Sequence, residues 1–258
     1  MKPLPYISGL TFLLTASLAS SEMSIRLELD HSTIIQHEPA LAFITLSNIA
    51  EEPFILPARG GSDAKIDFIV RQLRGDRVSR LTDQPIVPKV TILPGETKRR
   101  MVDISLFYDL QQMGGYIIHV EVHHDGSRFG TDLQYFDIVG GLPLSSARSP
   151  VPDLAKTYRN FQLSYLARER KEILFLSVTE APSGKHFQVM ALGRLMRVYA
   201  PVISLDRDGH VRVSHQSAPE TVTRSTLRND KKGIELIDQK YERLRGHVGA
   251  DGAWTTGK

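Results

Sequence analysis

Residues 114–126, GGYIIHVEVHHDG, decide how the first half of this chain is read. They hold three of its nine histidines, His119, His123 and His124, with Glu121 and Asp125 among them. Such a cluster invites a metal or catalytic reading, but side chains on a strand alternate between faces. Tyr116, Ile118, Val120 and Val122 then share one face, and His119, Glu121, His123 and Asp125 share the other. The apolar set has to meet a core, so the His-Glu-His row is expected on the wet side of a sheet. His119 and His123 are four residues apart, about 13 Å along a strand, whereas metal–ligand bonds measure ~2 Å. One ion cannot take both. His119 with Glu121, or Glu121 with His123, would serve a metal only if a neighbouring strand added ligands, and cross-strand polar pairing is the simpler expectation.

The same alternation runs outward from this strand. SIRLELD, PALAFITLSN, AKIDFIVRQL, VPKVTILPGE, KRRMVDISL and DLQYFDIV are short β segments broken by Gly, Pro, Asn and Asp. About seven strands in roughly 115 residues match the size of a two-sheet antiparallel sandwich. An all-β fold is therefore expected, with a first sandwich over residues 22–139.

Particular residues in this half carry a resemblance. In DLQQMGGYIIHV, Asp109, Gly114 and Tyr116 stand in the order of the tyrosine corner that opens strand F of many immunoglobulin-like domains. Ile118 occupies the place where an antibody-type domain has its second cysteine. With LSN at residues 46–48 and LPGE at 93–96, the segment resembles the Ig-like domains of secreted bacterial proteins. In outline it is also similar to a bacterial Ig-like proteinase-inhibitor domain. The resemblance implies an Ig-like sandwich with Tyr116 as its marker. It departs from antibody-type domains in lacking both cysteines and the core tryptophan, since the only tryptophan is Trp254.

The chain begins with Lys2 and then PLPYISGLTFLLTASLAS, an uncharged apolar run ending in small residues. This fits a secretory signal peptide over residues 1–19, with an uncleaved anchor as the alternative. No later apolar run reaches the ~20 residues of a membrane span, so no integral span is expected after cleavage. Zero cysteines exclude disulfides, thiolate metal sites and cysteine nucleophiles. Export without disulfides suits a bacterial periplasm or cell envelope, periplasmic or extracellular, better than an animal extracellular space.

GGLPLSSARSPVPD, residues 140–153, reads as an interdomain linker. Residues 154–245 form a second β-rich domain, with hairpin signals at PSGK, DRDGH and NDKKG, and residues 246–258 a disordered tail. One part of this half is similar to a single β-propeller-type blade, although the sequence shows no second copy. Charge divides with the halves. Residues 22–140 carry 12 basic and 17 acidic side chains, and residues 141–258 carry 19 and 12. Arg194, Arg197, Arg212 and Arg224 could line an anion-binding face in the basic half.

The chemistry that can be ruled in is limited. Asp206 and Asp208 begin like a calcium loop but lack its distal glutamate, so a tight Asp-Gly hairpin is the better reading. No G-x-S-x-G, P-loop, Rossmann fingerprint or HExxH helix is present. No catalytic residue and no cofactor are implied. The expectation is an exported, non-enzymatic binding or structural module at the bacterial cell envelope. Its partner would be a protein or an anionic glycan, and export argues against nucleic acid. A proteinase-inhibitor-like role and a hydrolase or accessory protein with an interdomain site are the alternatives. No sequence feature specifies an oligomeric state.

Overall fold

The structure, a computed structural model, describes residues 23–56, 65–87, 89–124, 126–152, 154, 156–206 and 209–244. The expected signal peptide, the tail with Trp254, Asp125 and Asp208 lie outside the described residues. The first half runs β1 (Met23–Leu29), β2 (Thr33–Ile35), β3 (Leu41–Asn48), β4 (Phe54–Leu56), β5 (Lys65–Gln72), β6 (Val90–Ile92), β7 (Thr97–Asp103), β8 (Gly114–His124), β9 (Ser127–Gly130) and β10 (Gln134–Val139). The second half runs β11 (Leu142–Pro150), β12 (Tyr158–Arg168), β13 (Lys171–Ala181), β14 (His186–Leu195), β15 (Val202–Leu205), β16 (Val211–Ala218), β17 (Thr221–Asp230) and β18 (Gly233–Arg243). A single 3-10 turn, Ile104–Leu106, is the helix among the described residues. The fold is all-β and built of several largely antiparallel sheets, as the alternation predicts.

In the first half, β1-β3-β7 form one sheet and β2-β10-β8-β5 a second, with β9 paired to β8. Leu27, Ala42, Ile44 and Leu46 from the first sheet share a core with Phe68, Tyr116, Ile118, Val120 and Val122 from the second. β3 alternates without a break, Ala42, Ile44, Leu46 and Asn48 pointing inward. A buried asparagine needs partners. Asn48 finds them in the Glu52 and Ile92 carbonyls, at 2.7 and 3.0 Å, and in the Ala50 amide at 2.9 Å. Tyr116, buried and stacked on Phe136 at 5.2 Å, donates its hydroxyl proton to the Gln112 carbonyl at 2.6 Å. Strands β2 and β10 pair in parallel.

The second half consists of two four-stranded meanders, β11-β12-β13-β14 and β15-β16-β17-β18. Phe161, Leu163, Leu174, Leu176 and Val178 of the third sheet pack against Val211, Val213, Leu227 and Ile234 of the fourth. The central hairpins correspond, each turning through two residues, Glu169–Arg170 in one and Pro219–Glu220 in the other. The segment expected as a linker is a correction: residues 142–150 form β11 and pair along their length with β12. Its Ser and Pro content suggested a loop, but an edge strand tolerates proline because one side of its ladder is unpaired.

Arg159 ties the two meanders together. It is 1% exposed, and its Nη1 donates to Asn229 Oδ1 (2.7 Å), the Asp230 carbonyl (2.7 Å) and the Gly233 carbonyl (3.0 Å). The guanidinium lies over the Phe187 ring at 4.3 Å. These acceptors sit at the β17–β18 turn, 70 residues away in sequence. Removing the donor takes a hydrogen bond from the buried Asn229 and from two part-buried carbonyls. Arg159→Ala is therefore expected to lower the unfolding free energy by about 3 kcal/mol, measured by urea denaturation, with Arg159→Lys in between.

Candidate functional site

The residues singled out from sequence fall into three separate places. His119, Glu121 and His123 lie on the outer face of β8, opposite the buried row of Tyr116, Ile118, Val120 and Val122. Glu121 organises them. His119 Nε2 is 3.3 Å from Oε1, His123 Nε2 is 3.7 Å from Oε2, and Arg128 from β9 is bonded to the same carboxylate. Burial would push the Glu121 carboxyl up, but the hydrogen bonds from Arg128 and His119, with their charge, hold it below the usual range. Asp67 of β5 stands directly across. Among the described residues no group of three or more His, Asp or Glu is placed to hold a metal ion.

Asp206 closes its hairpin. It accepts the His210 amide at 2.8 Å and the Arg212 guanidinium at 3.0 and 3.2 Å. The four arginines of the expected anion face are spread over β14, the turn after it, β16 and β17, and three face carboxylates. Arg197 makes a two-pronged pair with Glu172 at 2.6 and 2.7 Å, Arg212 meets Asp206, and Arg224 meets Glu242 at 2.9 Å. Arg194 stands on β14 and contributes its carbonyl to His215.

A larger feature, which the sequence reading did not single out, lies where the two halves meet. The third sheet has two faces. The inner one packs on the fourth sheet. Part of the outer one, Phe175 and Val189 with Leu166 and Ile173, packs on Ile35 of β2. Beside this contact Arg168 grips Glu38 with two hydrogen bonds, at 3.1 and 2.6 Å, both side chains being nearly buried. Gly141 is pressed against the same joint: a Cβ there would lie 2.5 Å from Ser164 Oγ and 3.0 Å from Ile35 Cδ1.

The rest of the outer face is uncovered and polar. Register places Arg148, Asn160, Thr179 and His186 in one row across the four strands. Ser146, Gln162, Ser177 and Val189 form the next row. Neighbouring strands are about 4.8 Å apart and successive outward residues about 6.8 Å, so the rows make a regular grid of amide and hydroxyl groups. Gln36, His37, Gly140 and Gly141 from the first half wall it on one side and leave a groove of about 670 Å³. Among the described residues no carboxylate lines it.

His37 stands on the groove wall with a positive φ of 68°, a conformation in which histidine is enriched but which remains uncommon. Its ring stacks on His186 with centroids 3.6 Å apart. Burial, and then the charge of His186, hold the His37 imidazole below its ordinary range. A second, smaller hollow of about 210 Å³ opens on the far side of this pair, lined by Glu38, Tyr108, Asp109 and Gln111 among others. Arg148 at the other end of the row lies over the Tyr158 ring at 4.4 Å.

One buried titratable group sits apart from the groove. His215 is fully buried between the third and fourth sheets, and its Nε2 donates to the Arg194 carbonyl at 3.1 Å. That bond fixes the tautomer and leaves Nδ1 as a buried acceptor without a partner. Burial outweighs the carbonyl bond and lowers the pKa to about 4.

No protein-family model and no characterised relative matches the chain. Among solved structures it is similar to the sporulation control protein Spo0M from Bacillus subtilis, at 10% identity and a TM-score of 0.32, over 68% of this chain and 91% of that one. Similarity at this level bears on neither the fold nor the function. Among the described residues no helix is long and apolar enough to cross a membrane.

Two outcomes follow from these contacts. The unfolded chain takes a proton on His215 near pH 6.5, whereas the native state takes it only near 4. Stability is expected to fall as pH drops from 6.5 to 4, by about 3 kcal/mol from this residue. His215→Leu should flatten that part of the pH–stability curve in chemical denaturation. At the joint, Gly141→Ala forces Ser164 and Ile35 aside and should cost about 1–3 kcal/mol, read as a lowered Tm.

Proposed function

We propose that this chain is a non-enzymatic binding module of the bacterial cell envelope, exported by its N-terminal segment, and that its ligand lies in the groove between the two halves. The observation that carries this reading is the grid of uncharged hydrogen-bonding side chains on an exposed sheet face. Uncharged polar side chains are ordinary on a solvated face; what is particular here is their alignment. Here Asn160, Gln162, Ser146, Ser177 and Thr179 stand in register beside a wall from the first half. Short, two-faced donors and acceptors at regular spacing suit a polyhydroxylated ligand such as a glycan, each of whose hydroxyls both donates and accepts. The lining also favours binding over hydrolysis, because glycoside cleavage uses a pair of carboxylates and the described residues of this groove include none.

We further read the first half as an Ig-like sandwich. Three features support it: the Tyr116 hydroxyl bonded back to the Gln112 carbonyl, the pairing of β1-β3-β7 against β2-β10-β8-β5, and the parallel β2–β10 pair at the edge. In this reading the sandwich serves as the wall that turns one sheet face into a groove.

The test is binding of oligosaccharides to the purified chain by calorimetry. Each amide contributes about 1 kcal/mol through its hydrogen bonds, so Asn160→Ala with Gln162→Ala should weaken binding by roughly 30-fold. Both residues are exposed, and the melting temperature should hold. Release of shortened saccharide products would overturn the reading, as would affinity indifferent to both substitutions.

A further inference from the structure

The groove's polar grid is uncharged in its middle and carries basic side chains at its ends. Arg148 on β11 and His186 on β14 terminate the same cross-strand row. Three inter-strand spacings separate them, about 14 Å. Arg148 is exposed, with its guanidinium over Tyr158, and among the described residues no carboxylate lines the groove beside it. At the other end His37 and His186 stack across the joint, one ring from each half.

The charged groups around this pair are unevenly placed. Glu38, next to His37 in the chain, is taken up by Arg168. Asp109 lines the hollow on the far side of the rings. Lys185 precedes His186, and Arg148 is the other cation of the groove. On the groove side, then, two imidazoles and a guanidinium face a space lined by no carboxylate among the described residues. Burial, and then the charge of His186, hold the stacked His37 imidazole below its ordinary range. An anion placed in the groove would reverse that balance.

We propose that the groove takes an anionic oligosaccharide, with carboxylates met by Arg148 at one end of the row and by the His37–His186 pair at the other, and that binding is coupled to proton uptake at that pair. This rests on the groove being the ligand site, as argued above. The neutral amides and hydroxyls between the ends hold the sugar hydroxyls, and the end cations select charge. Uronate carboxyls remain ionised well below neutrality, so the pH dependence belongs to the protein. By linkage, a ligand that favours the protonated pair binds more tightly as pH falls.

The experiment is calorimetry with tetragalacturonate and tetramannuronate, each beside its neutral methyl ester, at pH 8 and pH 5.5, with melting curves recorded at both. Affinity for the acids should rise at least tenfold on acidification, while the esters bind weakly and without pH dependence. His186→Gln should abolish the pH dependence and leave the melting temperature unchanged; Arg148→Gln should weaken the acids about tenfold at both pH values. Acids and esters bound equally, with a flat pH profile, would overturn this proposal and leave the groove reading standing. Inorganic phosphate bound as tightly as the oligosaccharides, with the same pH slope, would reduce the groove to a small-anion site and also overturn it. No binding of any saccharide would bring down both readings.

Discussion

A β-sheet has two faces, and the third sheet must satisfy both. Its inner residues, among them Phe161, Leu163, Leu174, Leu176 and Val178, are fully buried against the fourth sheet. The outer face is divided. At one end Phe175 and Val189 need cover and take it from Ile35 of the first half. At the other end Asn160, Gln162, Ser177 and Thr179 are compatible with water. The first half is therefore drawn onto only part of the face, and the boundary between the covered and open parts is the groove. Had the face been apolar throughout, the two halves would have closed over it.

What holds this arrangement is a small joint. The apolar contact is modest, and the Glu38–Arg168 pair is nearly buried. A buried ion pair gains little net stability, because desolvation offsets attraction, but breaking one partner is costly. Its value is geometric. Two parallel hydrogen bonds fix both distance and angle, and Glu38 Oε2 also accepts the Ile35 amide at 2.8 Å, which ties the pair to the residue that makes the apolar contact. The tight fit of Gly141 against Ser164 acts in the same direction. The wall carrying His37 is thus set at a defined height above the grid.

Much of the fold was legible because period-two alternation is a local property. In β8 the alternation orders Tyr116, Ile118, Val120 and Val122 inward and needs nothing from the rest of the chain. The grid was not legible in the same way. NFQLSYL shows its alternation plainly, but Asn160 and Gln162 become part of a site only when Ser146, Arg148, Ser177, Thr179 and His186 arrive beside them, and that depends on three separate registers. Arg148 and Ser146 were hidden for a second reason. Their strand is rich in Ser and Pro and carries little apolar pattern, because an edge strand with an exposed face has few side chains to bury. The signal available in sequence was composition: outward positions filled by Asn, Gln, Ser and Thr rather than by charges. The strands of the second meander were legible, but not its core, since His215, Gln216, Thr223 and Ser225 occupy buried positions where apolar residues are expected.

That substitution of polar for apolar residues sets a limit on how the protein can respond to acid. His215 has no room to accept a charge, so acid reaching toward pH 4 acts on the core between the meanders. The His37–His186 pair stands at the surface of the joint, where a ligand anion can share the cost of a proton. The two responses therefore oppose each other in sign. On the proposed reading, protonation at the groove would favour the occupied native state, whereas protonation demand at His215 favours the unfolded one. An anion bound in the groove would, on that reading, stabilise only the native state, and its contribution would grow as pH falls. The occupied protein should consequently have a shallower acid dependence of stability than the free protein, a consequence of placing one histidine inside the core and two on the wall of an open groove.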